Sequence, residues 1–363
     1  MTNTLKDQPN VTALLSQYAL PSPLGFGQEL APIMYRADYT NGTWQAGQLI
    51  PFGEVKINPA ATCVQFGQQC FEGMKAYKVA QEKPTLFRPE ANYKRFSRSA
   101  TRLSMPPPTP AIFAGALSQL TTAFADFIPG GSGQSLYLRP TLLGLDPTFA
   151  VKSSERFCFL LLASPSDAYY GNPIKVMIER THSRAAKGGT GAEKVGGNYA
   201  GSLLATGRSI AGGYDQPLWL DAATHTDIEE LSGMNFMAVI NGELHTPPLS
   251  GTILPGITRA SIIDIAESIG IRVVERTMPI ADVLEGVENG SCSEMFACGT
   301  AAIVCPISEI GEENGPKLPL PDVNNKAAKL KKILLDIQEG RSDDAFGWTA
   351  SADDPSQLQS RLS

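Results

Sequence analysis

The segment Glu193-Lys194-Val195-Gly196-Gly197-Asn198-Tyr199 carries the residue types most directly suited to chemistry. Gly196 and Gly197 have no side chain to shield the backbone, so a ligand can approach closely beside Lys194. A lysine amine in such a place is a nucleophile toward carbonyl compounds and forms a Schiff base. The plainer reading of the same residues is a solvated lysine ahead of a helix, so other features have to converge on it. Glu230 stands just before the Ser232-Gly233 break, where a carboxylate at a strand end faces a cleft. LSGTILPG (249–256) leads into a helix, and the backbone N–H groups and positive end of a helix start suit a phosphate. Gly299-Thr300 offers a hydroxyl donor after a predicted strand. An amine nucleophile, a carboxylate and phosphate donors are what pyridoxal phosphate chemistry requires, together with a phenol near the ring oxygen. Taken singly, Glu230 is also readable as a surface acid and the Pro/Gly run as a plain turn.

Other chemistries lack their motifs. No GxSxG nucleophile elbow is present, nor GxxxxGK[ST], nor a GxGxxG after a strand. Lys187-Gly188-Gly189-Thr190-Gly191 is glycine-dense but lacks the Lys-Ser/Thr ending of a phosphate loop, and reads as a flexible loop. Six cysteines at irregular spacing, with no CxxC pair, read as buried thiols rather than a disulfide framework or a metal site.

The elements that must position these residues need more than one core. At 363 residues, two domains are expected. A hydrophobic fraction of 42% excludes intrinsic disorder, and a net charge of −6 argues against a nucleic-acid partner. The apolar run 157–163 falls far short of the roughly 20 residues a membrane span needs. With no apolar stretch behind basic residues in MTNTLKDQPN, a cytoplasmic protein is expected. The first 45 residues read as loop-rich. Strand-like runs follow at 75–79, 85–87, 135–145 and 156–163. Pro89, with Tyr93, Phe96, Ala100 and Leu103 at helical spacing, predicts a helix ending before Pro106. Ile112, Leu117, Leu120 and Phe124 predict a second. SPSDAYYG (164–171) is the linker candidate. Beyond it, short strands at 174–178, 217–220, 235–241 and 271–277 alternate with helices, one from Asn198 to Gly212 and one at 257–269. A last helix carries Ala327, Leu330, Ile333, Leu334 and Ile337 and stops at Gly340. The reading is a small α+β domain over 1–167, a linker and first strand over 168–180, and a larger mixed α/β domain over 181–363.

Seven ordered motifs resemble the branched-chain amino acid aminotransferases, the fold-type IV, class IV pyridoxal-phosphate enzymes. They are FEGMKAY (71–77), LFRPEANYKRFSRSATRLSMP (86–106), LYLRPTLLG (136–144), KVGGNYAGSLLA (194–205), EELSGMN (229–235), TPPLSGTILPGITR (246–259) and FACGTAA (296–302). The resemblance spans residues 24–348. It implies a two-domain α/β fold with pyridoxal 5'-phosphate in the cleft between the domains. It implies that Lys194 is the Schiff-base lysine and proton shuttle, Tyr199 the phenol on the cofactor O3', and Glu230 the carboxylate on the pyridine nitrogen. Arg95 is the implied phosphate-binding arginine, joined by Gly251, the backbone N–H groups of Thr252 and Ile253, and Thr300. For the substrate it implies aromatic walls at Phe71, Tyr137 and Tyr169, Arg139 reading the distal carboxylate of glutamate, and Gly233 and Ala301 at the α-carboxylate. An aromatic box with one arginine at its edge suits a pocket that takes both an apolar and an anionic side chain.

The implied reaction is reversible ping-pong transfer of the amino group of L-leucine, L-isoleucine or L-valine to 2-oxoglutarate, by a homodimer. Among fold-type IV alternatives, a D-amino acid aminotransferase or aminodeoxychorismate lyase would share the cofactor residues. LYLRPTLLG and the long N-terminal region favour the branched-chain type, and intact Lys194, Tyr199 and Glu230 disfavour a non-catalytic pyridoxal-phosphate-binding relative. The chain departs from the pattern at Pro32-Ile33-Met34, at Phe66 (usually tyrosine), at Lys187 (often proline) and at Ser232 (commonly glycine). Ala302 also stands where some animal relatives have the first cysteine of a redox pair with Cys305.

Overall fold

The computed structural model describes residues 9–167, 172–321 and 325–363. They fall into two compact units: the described residues to 167 with Lys194–Gly196 and Asp336–Ser363, and the remainder of 172–335.

In the first unit α1 (Pro9–Gln17), β1 (Ile33–Thr40), β2 (Thr43–Trp44), β3 (Gln48–Pro51), α2 (Thr62–Gln65), β4 (Gln69–Phe71), β5 (Met74–Tyr77) and β6 (Thr85–Phe87) lead to two helices, α3 (Pro89–Arg102) and α4 (Pro110–Ala123). The long pair β7 (Ser135–Gly144) and β8 (Phe157–Ser166) follows, in unbroken antiparallel register from Ser135↔Ser166 to Gly144↔Phe157. The first helix begins where the sequence predicts, and the second begins two residues ahead of its apolar stripe. Pro89 and Pro110 occupy first-turn positions, and Thr109 caps α4 by accepting the Ile112 N–H. Phe96 of α3, Phe113 of α4 and Phe159 of β8 pack as rings 5.7–5.8 Å apart with none of their surface exposed. Truncating one such ring to alanine costs about 3–5 kcal/mol, which fixes α3 against the sheet.

The N-terminal stretch read as loop-rich in fact contains α1 and β1. Arg36 and Asp38 interrupt the apolar pattern of β1, yet as residues i and i+2 they lie on one face and pair at 3.0 Å. The linker candidate 164–171 also starts too early, because β8 continues through Ser166; residues 168–171 lie outside the described residues.

The second unit comprises β9 (Ile174–Glu179), most of α5 (Gly196–Ala200), α6 (Leu203–Ala211), β10 (Gln216–Leu220), β11 (Ile228–Leu231), β12 (Asn235–Ile240), β13 (Glu243–Thr246), α7 (Ile257–Ser268), β14 (Val273–Glu275), α8 (Ile280–Glu288), β15 (Cys292–Gly299), β16 (Ile303–Gly311), β17 (Lys317–Pro319) and most of α9 (Asn325–Gln338). The single helix expected from Asn198 to Gly212 is two, α5 and α6, interrupted at Gly201-Ser202. The sheet is mixed, with β9 parallel to both β10 and β16. Its order runs β11-β10-β9-β16-β15-β12, and a further pairing of β11 with β12 through Glu230↔Asn235 closes these six strands into a ring. Ile174, Val176, Leu218, Ile228, Phe236 and Met295 are among the buried residues of its core.

The sequence reading runs the second domain to residue 363, whereas Asp336–Ser363 packs with the first unit. There β18 (Thr349–Ser351) extends the sheet by pairing with β6, and α10 (Pro355–Leu362) lies on α3 and α4, burying Leu358 and Leu362. The complete first sheet runs β18-β6-β5-β7-β8-β1-β2, with β3 on β1 and β4 on β7, all antiparallel.

Candidate active site

In the first unit, Tyr137 and Arg139 are residues i and i+2 of β7 and so share a face of the sheet. β4 pairs with the same strand and brings Phe71 opposite Thr141. The Arg139 guanidinium lies 4.9 Å from the Phe71 ring centroid and 5.3 Å from that of Tyr137, and donates to Tyr137 Oη at 3.2 Å. Its Nε is buried with no hydrogen-bond partner among the described residues. Lys194 Nζ lies 5.1 Å from the same Phe71 ring. The Arg139 guanidinium and the Lys194 amine thus lie against one aromatic ring, an arrangement that suits cation–π attraction. Gly73 separates β4 from β5 because a Cβ there would lie 2.0 Å from Tyr137 Oη.

The Lys194 backbone is held on both sides within this unit. Its N–H donates to Ser99 Oγ at 2.9 Å, and its C=O accepts the Phe71 N–H at 3.0 Å. Arg95, one turn before Ser99 on α3, is buried and pairs with the fully buried Glu72 through Nε–Oε1 at 2.6 Å and Nη2–Oε2 at 2.9 Å. The plain alternative for Arg95, an exposed helix charge, is thereby excluded.

In the second unit, Glu229 and Glu230 point to opposite sides of β11. Glu230, 3% exposed, pairs with Arg184 Nη2 at 2.7 Å and accepts from the Leu254 N–H at 3.1 Å and from Asn235 Nδ2 at 2.8 Å. Arg184 Nη2 also donates to Gly191 O at 3.0 Å and to Thr252 O, tying two loops to the carboxylate. Gly191 permits this approach, since a Cβ there would lie 2.3 Å from Thr252 O. Thr252 and Ile253 are buried, and Thr252 Oγ1 donates to Glu229. Burial pushes the Glu229 carboxyl up, against the opposing Thr252 hydrogen bond and the Arg184 charge. The turn following β15 meets the β11–β12 turn, for a Cβ on Gly299 would lie 3.4 Å from Gly233 O; Thr300 and Ala301 follow directly. Tyr199 is half-buried on α5, whose neighbour Asn198 bonds Thr190 O at 2.7 Å and Glu193 O at 2.9 Å.

The predicted residues thus gather into two groups. Phe71, Arg95, Tyr137, Arg139 and Lys194 lie together in the first unit. Gly233, Gly251, Thr252, Ile253, Thr300 and Ala301 lie on three adjoining loops of the second beside Glu230 of β11, and Tyr199 is in the same unit. Tyr169 lies outside the described residues. Sequence reasoning passed over Phe26, Glu72, Ser99, Arg184 and Asn235. Phe26 packs edge-on against Tyr137 at 5.0 Å, presented by Gly25 and Gly27 at φ +64° and +66°, and that flanking glycine pair was the available signal. Of the departures, Ser232 has a structural use, since its Oγ accepts the Trp219 indole N–H at 3.0 Å. Phe66 is 43% exposed and Lys187 is exposed.

Residues 69–310 match the family described as Amino-transferase class IV. Branched-chain-amino-acid transaminase 1 of Bacillus subtilis (strain 168) is 39% identical over 336 residues, 91% of this chain and 94% of that protein. The chain belongs to the branched-chain aminotransferases of class IV. Among solved structures, the branched-chain aminotransferase of the archaeon Thermoproteus uzoniensis with norvaline aligns at 25% identity and a TM-score of 0.70, over 87% of this chain and 99% of that one. The branched-chain amino acid aminotransferase of T.th., complexed with N-(5'-phosphopyridoxyl)-L-glutamate, aligns at 26% identity and a TM-score of 0.68, covering 87% of this chain and 98% of that one.

Proposed function

We propose that the chain transfers the amino group of L-leucine, L-isoleucine or L-valine to 2-oxoglutarate, with pyridoxal 5'-phosphate as cofactor. The observation carrying this reading is the primary amine of Lys194 on the Phe71 ring that also stacks the Arg139 guanidinium. A nucleophilic amine, an apolar wall for a branched side chain and a cation for a distal carboxylate are thereby combined. The partnerless, buried Arg139 Nε is a donor of the kind that a carboxylate of 2-oxoglutarate or glutamate would satisfy.

The donor set fits pyridoxal phosphate. Arg95 and the Gly251-Thr252-Ile253 backbone ahead of α7, with Thr300, would hold the phosphate, and Tyr199 the ring oxygen. Glu230, buried and fixed in orientation by Arg184 and Asn235, would hold the pyridine nitrogen. When bound, the cofactor supplies an aldehyde for the amino group and a ring that takes up the electrons left at Cα. Lys194 Nζ would hold the cofactor through its aldehyde and would move the proton at Cα of the amino acid. Phe71 and Tyr137 would exclude water around the side chain, while Gly233 and Ala301 would orient the α-carboxylate.

The reading extends to a cytoplasmic homodimer. Its supports are the free thiols of the cysteines and the outward-facing Phe149 and Val151 of the first unit, 81% and 90% exposed, which a second copy would cover. Among the described residues no helix is long and apolar enough to cross a membrane. The reading is tested by Lys194→Ala, which is expected to lower turnover of L-leucine with 2-oxoglutarate by several orders of magnitude while leaving the far-UV spectrum unchanged. Near-wild-type turnover in that variant would overturn it.

A further inference from the structure

Ser99 belongs to none of the roles assigned above, yet it is fully buried and touches the backbone of the reactive lysine. Its Oγ donates to the Arg95 carbonyl at 3.0 Å, one helical turn back. A hydroxyl has a single proton, so once that proton is committed to Arg95 the oxygen can only accept. What it accepts, at 2.9 Å, is the Lys194 N–H. The carbonyl of the same residue is held by the Phe71 N–H at 3.0 Å, and Val195 bridges Cys70. Ser99 is therefore the side-chain half of a clamp whose backbone half is β4.

The anchor of this clamp is rigid. Arg95 is fixed by its bidentate pairing with Glu72, and Glu72 Oε2 also accepts the Gly73 N–H at 2.9 Å. One turn of α3 thus carries the guanidinium assigned to the phosphate and the hydroxyl that sets the Lys194 backbone. The spacing between the Arg95 guanidinium and the Lys194 backbone is then set by helix geometry rather than by loop conformation. A neutral oxygen in this place positions the lysine without adding a charge beside its amine, as an aspartate would.

We infer that Ser99 is a positioning residue that holds Lys194 in register for covalent attachment of the cofactor. The inference rests on the proposed role of Lys194. Removing the hydroxyl takes the Ser99 acceptor away from the half-buried Lys194 N–H, and the chain there shifts to restore a hydrogen bond. Attachment forms a C=N bond between Nζ and the aldehyde carbon and releases the aldehyde oxygen as water, so it demands placement of Nζ. Binding of a ring and phosphate that carry no aldehyde does not.

The test uses apoprotein with two probes: pyridoxal 5'-phosphate, followed by its absorbance change on attachment, and pyridoxine 5'-phosphate, which has the same ring and phosphate but no aldehyde. Ser99→Ala and Ser99→Cys, the latter filling the space with a weak acceptor, are expected to slow attachment about tenfold with pyridoxine 5'-phosphate affinity held within about twofold. Ser99→Thr, which restores the hydroxyl, is expected to recover attachment. Unchanged attachment in both the alanine and cysteine variants would overturn the inference. So would an equal loss for both probes, which would make Ser99 a general support of the fold. A wild-type apoprotein that takes up neither probe would overturn the proposed function, and this inference with it.

Discussion

Arg184 offers the sharpest test of how the second unit holds its buried acid. Arg184→Met removes the guanidinium and keeps most of the side-chain volume, taking the Arg184 cation from the buried Glu230 carboxylate. Breaking one side of a buried ion pair costs about 3–5 kcal/mol. Hydrogen bonds from Asn235 Nδ2 and the Leu254 N–H persist, which places the loss near the lower end, about 3 kcal/mol. For a unit of this size each kcal/mol moves the melting temperature by about 3 °C, so the transition of the second unit falls by roughly 10 °C. Glu230→Gln removes the carboxylate partner of the guanidinium, while its bonds to Gly191 O and Thr252 O remain. Because the two changes remove partners of one pair, the double variant is expected to lose about 2–3 kcal/mol less than the sum of the singles. Calorimetry of the four apoproteins measures this. Additivity within about 0.5 kcal/mol would refute the pairing as an energetic unit.

Two further outcomes are expected. Arg139→Met removes the cation from the Phe71 and Tyr137 rings, and loss of a charge-assisted bond of about 1.5–3 kcal/mol lowers kcat/KM for 2-oxoglutarate roughly 10- to 150-fold. The leucine half-reaction should change less than about threefold, and equal losses for both substrates would contradict the assignment of Arg139 to the distal carboxylate. Burial raises the Glu229 carboxyl above its ordinary 4.5, so its contribution to stability is complete below pH 4.5 and is lost as pH rises through the folded value. Melting temperatures of Glu229→Gln should therefore gain on wild type between pH 4.5 and 7, whereas a pH-independent difference would refute the sign.

What was legible in the sequence was whatever a short segment determines by itself. Pro89 with an apolar stripe specifies α3, and the lysine between Val195 and Glu193, ahead of two glycines, marks itself as unusual. The motifs then carried most of the site. Residues that act through partners distant in sequence were not legible. Ser99 looks like any helical serine until Lys194 is brought against it from 95 residues away. Arg184 reads as a loop arginine until the closing of the strand ring puts Glu230 beside it. The return of α10 to the first unit escaped notice for the same reason, since PSQLQSRL shows a buried face only once α3 and α4 exist to receive Leu358 and Leu362. In β1 the ion pair Arg36–Asp38 masked a strand that burial pattern alone would have revealed.

Transfer of an amino group from a branched-chain amino acid through pyridoxal phosphate held by Lys194 can be followed in a half-reaction. The purified protein, loaded with pyridoxal 5'-phosphate, is mixed with L-leucine and no acceptor while the visible absorption spectrum is recorded. The band of the lysine-attached cofactor is expected to give way to that of the amine form, with one equivalent of the 2-oxo acid released per site, and 2-oxoglutarate is expected to restore the original band. A loaded protein whose spectrum leucine, isoleucine and valine all leave unchanged would contradict this transfer.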